Sequence, residues 1–408
     1  MSASAELTES AVPDHVPPEL VKAFDFFSDP LYASDPFGMI RTISDGAPIF
    51  YTPAHYQKAG SWVLTRAEDI RFVWQNPELF SSYNYVNFNA LIGENWLLTP
   101  VEIDPPLHGV FRNFLNPAFS PNRLKLLDGE IRDTAHRLID RFAARGECEF
   151  VSDFAQPFPV SIFLKLMGLP TENLYECVGW AKGALSNHDL DLVRSSLRSM
   201  ADYLRGEVRK RQKAPTDDLI SQILTIDVQG RPINDDEIMG VVILMFLGGL
   251  DTVTSSFGFH YNFLATRLDI QQELRDDRGK IPAAIEELLR MFAIVQAQRF
   301  ATEDVEIAGV HIRKGDWITL PPSSADTDPR EFEHPHSFDP ARSNTRHMAF
   351  GFGPHRCLGS HLARREFLTA MNAWFDRTPL FTVKPGTRAK THGGAIFGVS
   401  NLQLVWSS

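Results

Sequence analysis

The chain has 408 residues, a formal net charge of −11 and a pI near 5.6. That acidic balance excludes a general binder of nucleic acid or of anionic membranes, and 43% hydrophobic residues suffice for a sizeable core. The three cysteines, Cys148, Cys177 and Cys357, show no Cys-x-x-Cys spacing, which argues against zinc ribbons and iron–sulfur clusters and suits a reducing cytosol.

Residues 1–35 read as an irregular leader with no signal peptide or anchor, so a cytoplasmic location is expected. Residues 48–64 have strand character, clearest at Trp62-Val63-Leu64, and residues 66–75 read as a short helix capped near Thr65. Residues 83–103 form a mixed loop of about 20 residues, a length that is usually functional. Apolar spacing predicts helices over residues 121–144, 157–167 and 190–212. Asn234 with Glu237 is a capping-box pattern that opens a helix to about residue 267. Its apolar run, residues 238–250, is short of the roughly 20 residues that cross a bilayer and ends in Asp251, so a core helix is expected rather than a membrane span. Residues 282–291 are helical, 305–320 are short strands turning at Gly309 and Gly315, and 357–375 form a long helix before terminal hairpins. With no linker, repeat or low-complexity block, these elements predict one domain over residues 1–408, mainly α with a small β portion.

The chemistry starts at Cys357, in the run Phe350-Gly351-Phe352-Gly353-Pro354-His355-Arg356-Cys357-Leu358-Gly359. A cysteine in a glycine-rich loop before a helix can be held as thiolate, because helix N-terminal amides and nearby cations favour the charged form. Glycines let backbone N–H groups approach the sulfur, Phe350 can cover one side, and His355 and Arg356 add positive charge. Such a thiolate is a strong axial ligand for haem iron and pushes electron density toward O–O cleavage. The plain alternative is a buried structural cysteine, against which the whole ten-residue pattern weighs. The run resembles the haem-binding signature of the cytochrome P450 family, Phe-x-x-Gly-x-x-x-Cys-x-Gly, at Phe350, Gly353, Cys357 and Gly359.

In the long central helix, Gly248-Gly249-Leu250-Asp251-Thr252 puts two glycines, each costing roughly 1 kcal/mol against alanine, beside an acid and an alcohol. Reducing O2 consumes protons, which Asp251 can relay from solvent and Thr252 can pass on. The segment resembles the family's oxygen-activation motif. Glu287 and Arg290 share a helix face at i and i+3, and with Arg342 they match the family's structural Glu-Arg-Arg lock. The resemblance further implies that His108, Arg112, Arg299 and His355 hold the carboxylates of haem b.

The likeness runs from about residue 25 to the C-terminus and is nearest to the soluble bacterial camphor hydroxylase branch. It implies a P450 fold and O2-dependent hydroxylation. Electrons would come from a ferredoxin, expected to be of the 2Fe–2S type, which is itself fed by an NADH-dependent flavin reductase. The docking patch implied for that ferredoxin is Arg112, Arg346 and Arg356. The family's pocket segments fall on Trp96, Leu98, Val101, Leu244, Leu247, Gly248, Val295, Ile396 and Phe397. The camphor enzyme's tyrosine is replaced by Trp96, whose indole N–H can donate one hydrogen bond or whose ring can act as an apolar wall. A small apolar terpenoid or norisoprenoid is expected, ionone-like rather than camphor. Two rivals are a peroxide-driven haem enzyme and a non-catalytic haem sensor; the acid–alcohol pair counts against both.

Overall fold

The computed structural model describes residues 12–24, 30, 34–53, 60–185 and 189–407, so the leader reading falls partly outside the described residues. Within it, Pro18–Leu20 is a single 3-10 turn, and Val21 pairs with Tyr51 at the edge of a sheet.

The central feature is a nearly all-apolar helix, Asp235–Leu250, continued by Thr252–Ala265. Its start follows the capping-box chemistry: Glu237 N donates to Asn234 Oδ1 at 2.9 Å, and Asn234 N donates to Glu237 Oε2 at 2.9 Å. Helices that are hydrophobic on every side belong at the centre of a fold. The joined 31-residue stretch is long and apolar enough to cross a membrane, with a mean hydropathy of 1.8, and 72% of its apolar window is buried inside the fold. The predicted continuous helix is broken at Asp251. There the Thr252 hydroxyl donates to the Gly248 carbonyl at 2.9 Å, a side-chain bond that competes with the helical ladder and bends it.

The other helices follow their local signals. Pro157–Met167 opens on a proline and stops at Gly168, which has a φ of 75°. Leu190–Lys213 is capped by the Asp189 carboxylate and ends in Lys210, Arg211 and Lys213. The predicted 121–144 helix is divided into Pro121–Leu124 and Asp128–Asp140. Ala67–Gln75 is not capped by Thr65, whose hydroxyl instead donates to the carbonyls of Ala47 and Pro48. The Ala67 N–H donates to Asp328, far along the chain. The last long helix is Ser360–Arg377; Cys357 lies in the turn before it.

The β portion comprises β1 (Ile49–Thr52), β2 (Ser61–Leu64), β3 (Phe80–Ser81), β4 (Glu147–Glu149), β5 (Ala297–Ala301), β6 (Val305–Ile307), β7 (Val310–Ile312), β8 (Trp317–Leu320), β9 (Phe381–Val383), β10 (Lys390–His392), β11 (Gly398–Asn401) and β12 (Gln403–Trp406). One sheet has the order β1-β2-β8-β5-β3, with β2 and β8 parallel; another has the order β4-β12-β9; β6–β7 and β10–β11 are two-stranded. A large apolar core surrounds the central helix, and a smaller one packs under the five-stranded sheet around Trp62, Trp74 and Phe80. In the larger core Trp374 is ringed by Phe142, Phe150, Phe154, Tyr261, Phe381 and Trp406, with centroids 5.0 to 5.9 Å away. The result is mainly α with a small β portion, as the sequence predicts.

Candidate active site

Cys357 sits at the mouth of the last long helix. Its N–H donates to the Phe350 carbonyl at 2.8 Å, closing the loop into a tight turn. Gly351 and Gly353 hold φ values of 70° and 68° in that turn. A side chain at 353 would also stand 2.2 Å from the Trp74 carbonyl, so this glycine lets the loop rest on the helix Ala67–Gln75. Gly359 has a different role: a Cβ there would lie an ordinary 3.9 Å from Cys357 Sγ. Its contribution is the amide that donates to the sulfur.

Cys357 keeps accessible surface although protein surrounds it densely enough for burial to push its thiol pKa up. That surface therefore faces an interior cleft. The Gly359 amide and the guanidiniums of Arg112, Arg356 and Arg364 pull the thiol back down, but burial outweighs them. Burial thus works against the thiolate in the bare loop, and a bound metal cation would favour it. Arg364 lies 4.6 Å over the Phe350 ring and makes two bonds to Glu286, 2.6 and 2.7 Å, and His347 joins at 3.1 Å. Burial pushes the Glu286 carboxyl up, but these partners outweigh it and hold it at about 2. This tie to the helix Ile281–Met291 has no motif in the sequence.

Beside the cysteine, Arg112 Nη1 donates to the Arg356 carbonyl at 2.8 Å, and the His108 and His355 rings lie 4.2 Å apart. Arg299 is fully enclosed nearby, and its charge acts on both imidazoles. Neither arginine forms an ion pair among the described residues, and His108 Nε2 and His355 Nδ1 are buried without partners. Burial and the arginines push His108 down to about 4 and His355 to about 2. His355 is thus neutral here rather than the positive charge expected from sequence. Its Nε2 lies 3.3 Å from Ser82 Oγ, which donates to Asp104 at 2.9 Å. Two arginines outside any ion pair among the described residues, beside two imidazoles whose orphaned nitrogens a carboxylate would draw into protonation, fit a ligand bearing two carboxylates, as haem does.

On the central helix, Gly248 is exposed among buried neighbours and has open space where a side chain would lie. Gly249 faces the other way: a Cβ there would strike the Phe163 ring at 2.4 Å. One glycine opens the cleft and the other lets two helices cross. Asp251 is 2% exposed, its carboxyl pKa raised by burial against the opposing charges of His392 and Lys182. Because the Thr252 hydroxyl proton is committed to Gly248, the oxygen offers its lone pairs to the cleft.

The expected pocket residues divide. Val101, Leu244, Val295 and Gly248 keep accessible surface; Leu98, Leu247 and Ile396 are nearly enclosed. Ile396 bridges Val295, and strand alternation turns the next residue, Phe397, away from the pocket and onto Phe37, 5.6 Å between centroids. Of the two roles open to Trp96, the structure favours the apolar wall. Trp96 is 1% exposed, and its indole N–H donates to Glu94 Oε2, which also accepts from Arg205 of the helix Leu190–Lys213 at 2.7 Å. The indole is a wall.

Sequence reasoning missed Glu102. Fully buried, it accepts from the amides of Val86, Asn87 and Leu98 at 2.6, 3.0 and 2.8 Å and so gathers the 83–103 loop. Thr99 N then donates to the Gly240 carbonyl at 3.3 Å, which seats the loop on the central helix. Behind the site, Arg290 donates twice to Glu287, at 2.7 and 2.8 Å, and Arg342 reaches the same carboxylate at 3.3 Å. Burial raises the Glu287 carboxyl pKa, but these bonds outweigh it and leave it below the ordinary value.

Residues 183–390 match the sequence profile described as Cytochrome P450. The chain is 40% identical over 403 residues to the probable cytochrome P450 127A1 of Sinorhizobium fredii, covering 97% of each protein. It is 30% identical over 368 residues to the vitamin D3 dihydroxylase of Streptomyces griseolus, covering 86% of this chain and 89% of that one. The solved structure of cytochrome P450 CYP101C1 aligns with a TM-score of 0.86 at 32% identity, over 98% of this chain and 100% of that one. The cysteine loop, the broken central helix and these relatives together establish that the chain belongs to the cytochrome P450 family of haem-dependent monooxygenases.

Proposed function

We propose that the protein is a cytoplasmic haem b monooxygenase, working as one domain over residues 1–408, that hydroxylates a small apolar terpenoid or norisoprenoid of the ionone kind. Its electrons come singly from a 2Fe–2S ferredoxin served by an NADH-dependent flavin reductase. The convergence of Cys357 with Arg112, Arg299 and two orphaned imidazoles carries this reading.

When bound, thiolate-ligated haem supplies O–O cleavage and C–H oxidation. The net reaction puts one oxygen atom of O2 into a C–H bond and the other into water, consuming two electrons and two protons. Cys357 would ligate the haem iron, steadied by the Gly359 amide; Phe350 covers its flank; His108, Arg112, Arg299 and His355 would hold the two carboxylates. Asp251 holds a proton in a water-poor position, and the Thr252 oxygen receives it at the edge of the cleft. Glu287, Arg290 and Arg342 fix the frame behind the site. Val101, Leu244 and Val295 line the pocket, with Gly248 leaving room and Trp96 closing one side. With the Trp96 N–H spent on Glu94, no donor from that position directs binding, which favours a substrate held by shape. Arg346 and Arg356, both exposed, and the half-buried Arg112 form a cationic face suited to an acidic ferredoxin.

Optical titration of the purified ferric protein with α-ionone, β-ionone and camphor tests this. A low-spin to high-spin change with the ionones, and little with camphor, is expected. No change with any terpenoid overturns the substrate class, and failure to bind haem overturns the whole reading.

A further inference from the structure

We propose that His392 is the group that carries protons from solvent to Asp251. The proposal rests on the oxygen-activating role given above to Asp251 and Thr252. Asp251 is almost fully enclosed, yet its Oδ2 has no hydrogen-bond partner among the described residues. That enclosed, unpaired oxygen is open to a neighbouring side chain that itself reaches solvent. Two basic side chains act on this carboxyl: His392 of β10 and Lys182 of the helix Leu174–Leu185. Lysine is a poor proton donor at neutral pH, whereas imidazole gains and loses protons there. Lys182 supplies fixed charge, and His392 supplies exchange.

Geometry selects the nitrogen. His392 Nδ1 lies 3.1 Å from the Gly393 carbonyl, which can only accept; this bond assigns a proton to Nδ1 and leaves Nε2 as the exchanging atom. Pairing of β10 with β11 sets His392 opposite Gly398. A Cβ at 398 would stand 2.2 Å from His392 Nε2 and 2.9 Å from Ser255 Oγ. Position 398 is thus a glycine whose side-chain space the imidazole occupies, and Nε2 lies against the first turn of the helix Thr252–Ala265. Ser255 is one turn beyond Asp251, and its N–H donates to the Asp251 carbonyl at 2.9 Å. The half-buried ring therefore joins the outside of the fold to the face that carries Asp251.

In the transfer, the Nε2–H bond of the imidazolium breaks and an O–H bond forms on the Asp251 carboxylate. No electron moves, and the neutral imidazole regains its proton from water. Asp251 then yields the proton toward the Thr252 oxygen, whose lone pairs are available because its own hydrogen is held by Gly248.

The test compares holoenzyme carrying His392→Phe, or Gly398→Ala, with wild type on β-ionone. Gly398→Ala displaces the ring while keeping the imidazole. Turnover is driven either by NADH through a 2Fe–2S ferredoxin and its reductase, or by hydrogen peroxide, which already carries two electrons and two protons. NADH-driven product formation is expected to fall about tenfold in both variants, with a larger solvent deuterium isotope effect, while the peroxide-driven rate holds. An unchanged NADH-driven rate, or an equal fall in both assays, overturns the proposal. A second arm involves no turnover: 15N NMR titration of His392 in the wild type and in Asp251→Asn. A lower His392 pKa in the Asn variant supports the pair, and superimposable curves overturn it. If the pair titrates together but neither NADH nor peroxide oxidises β-ionone, the substrate reading fails while the relay stands.

Discussion

Thr252 and Trp96 show how one hydrogen bond decides what a side chain offers its pocket. The Thr252 hydroxyl spends its hydrogen on the Gly248 carbonyl, so only its lone pairs face the cleft. Thr252→Ala should therefore keep NADH consumption near wild type while product per NADH falls by roughly 10²-fold and hydrogen peroxide accumulates, measured as peroxide and product per NADH. Trp96 spends its N–H on Glu94. Trp96→Phe should consequently leave the dissociation constants of ionones within about threefold, read from the spin-state titration; a tenfold loss for ketones relative to hydrocarbons would show that the indole does bind substrate. Legibility differs between the two. The Thr252 bond is local, i to i−4 on one helix, and its residue type sits in a readable motif. The Trp96 bond depends on Arg205 steadying Glu94 from a distant helix, and nothing in the 94–96 segment announces that partner.

Elements were legible where their ends are written locally. The Asn234 capping box, the proline that opens Pro157–Met167 and the glycine turning β6 into β7 all act within a few residues. The break at Asp251 was not legible as a break, because it comes from a side-chain oxygen replacing a ladder bond rather than from a helix-stopping residue. The 83–103 loop is the sharpest case. Its order comes from Glu102, an acid with no motif, accepting three amides in a buried position. Glu102→Gln replaces one acceptor oxygen by a donor and leaves amides unpaired, a loss of about 1–3 kcal/mol. The expected result is a loop cut faster by protease and ligand release that is several-fold faster by stopped flow, with the haem spectrum of the resting protein unchanged.

At the scale of the whole molecule, the core encloses titratable groups that respond to acid. His260 is enclosed against Phe292 and Phe367, and burial pushes its imidazole down to about 3. Its folded value lies below the ordinary 6.5, so the neutral ring contributes stability that is complete above about pH 6.5 and is lost as the pH falls toward 3. Glu286, held at about 2, adds a second loss below its ordinary range. Thermal melting should thus fall as the pH drops below about 6.5, and His260→Phe should flatten that first part of the curve by an amount on the order of a few kcal/mol. An unchanged pH slope in the variant would place the acid sensitivity elsewhere. One further consequence comes from the loop's seat on the central helix. Thr99 rests on Gly240, and Gly248 opens the cleft about two turns along the same rigid rod, roughly 12 Å away at 1.5 Å per residue. The helix is thereby a ruler: the seat at Gly240 and the gap at Gly248 stand a fixed distance apart. Under the proposed terpenoid reading, cyclohexenyl and bicyclic skeletons leave the 97–99 segment on its seat, and a bulkier four-ring steroid tests whether that segment lifts. Testosterone should therefore shift the spin state far more weakly than β-ionone, despite its greater apolar surface.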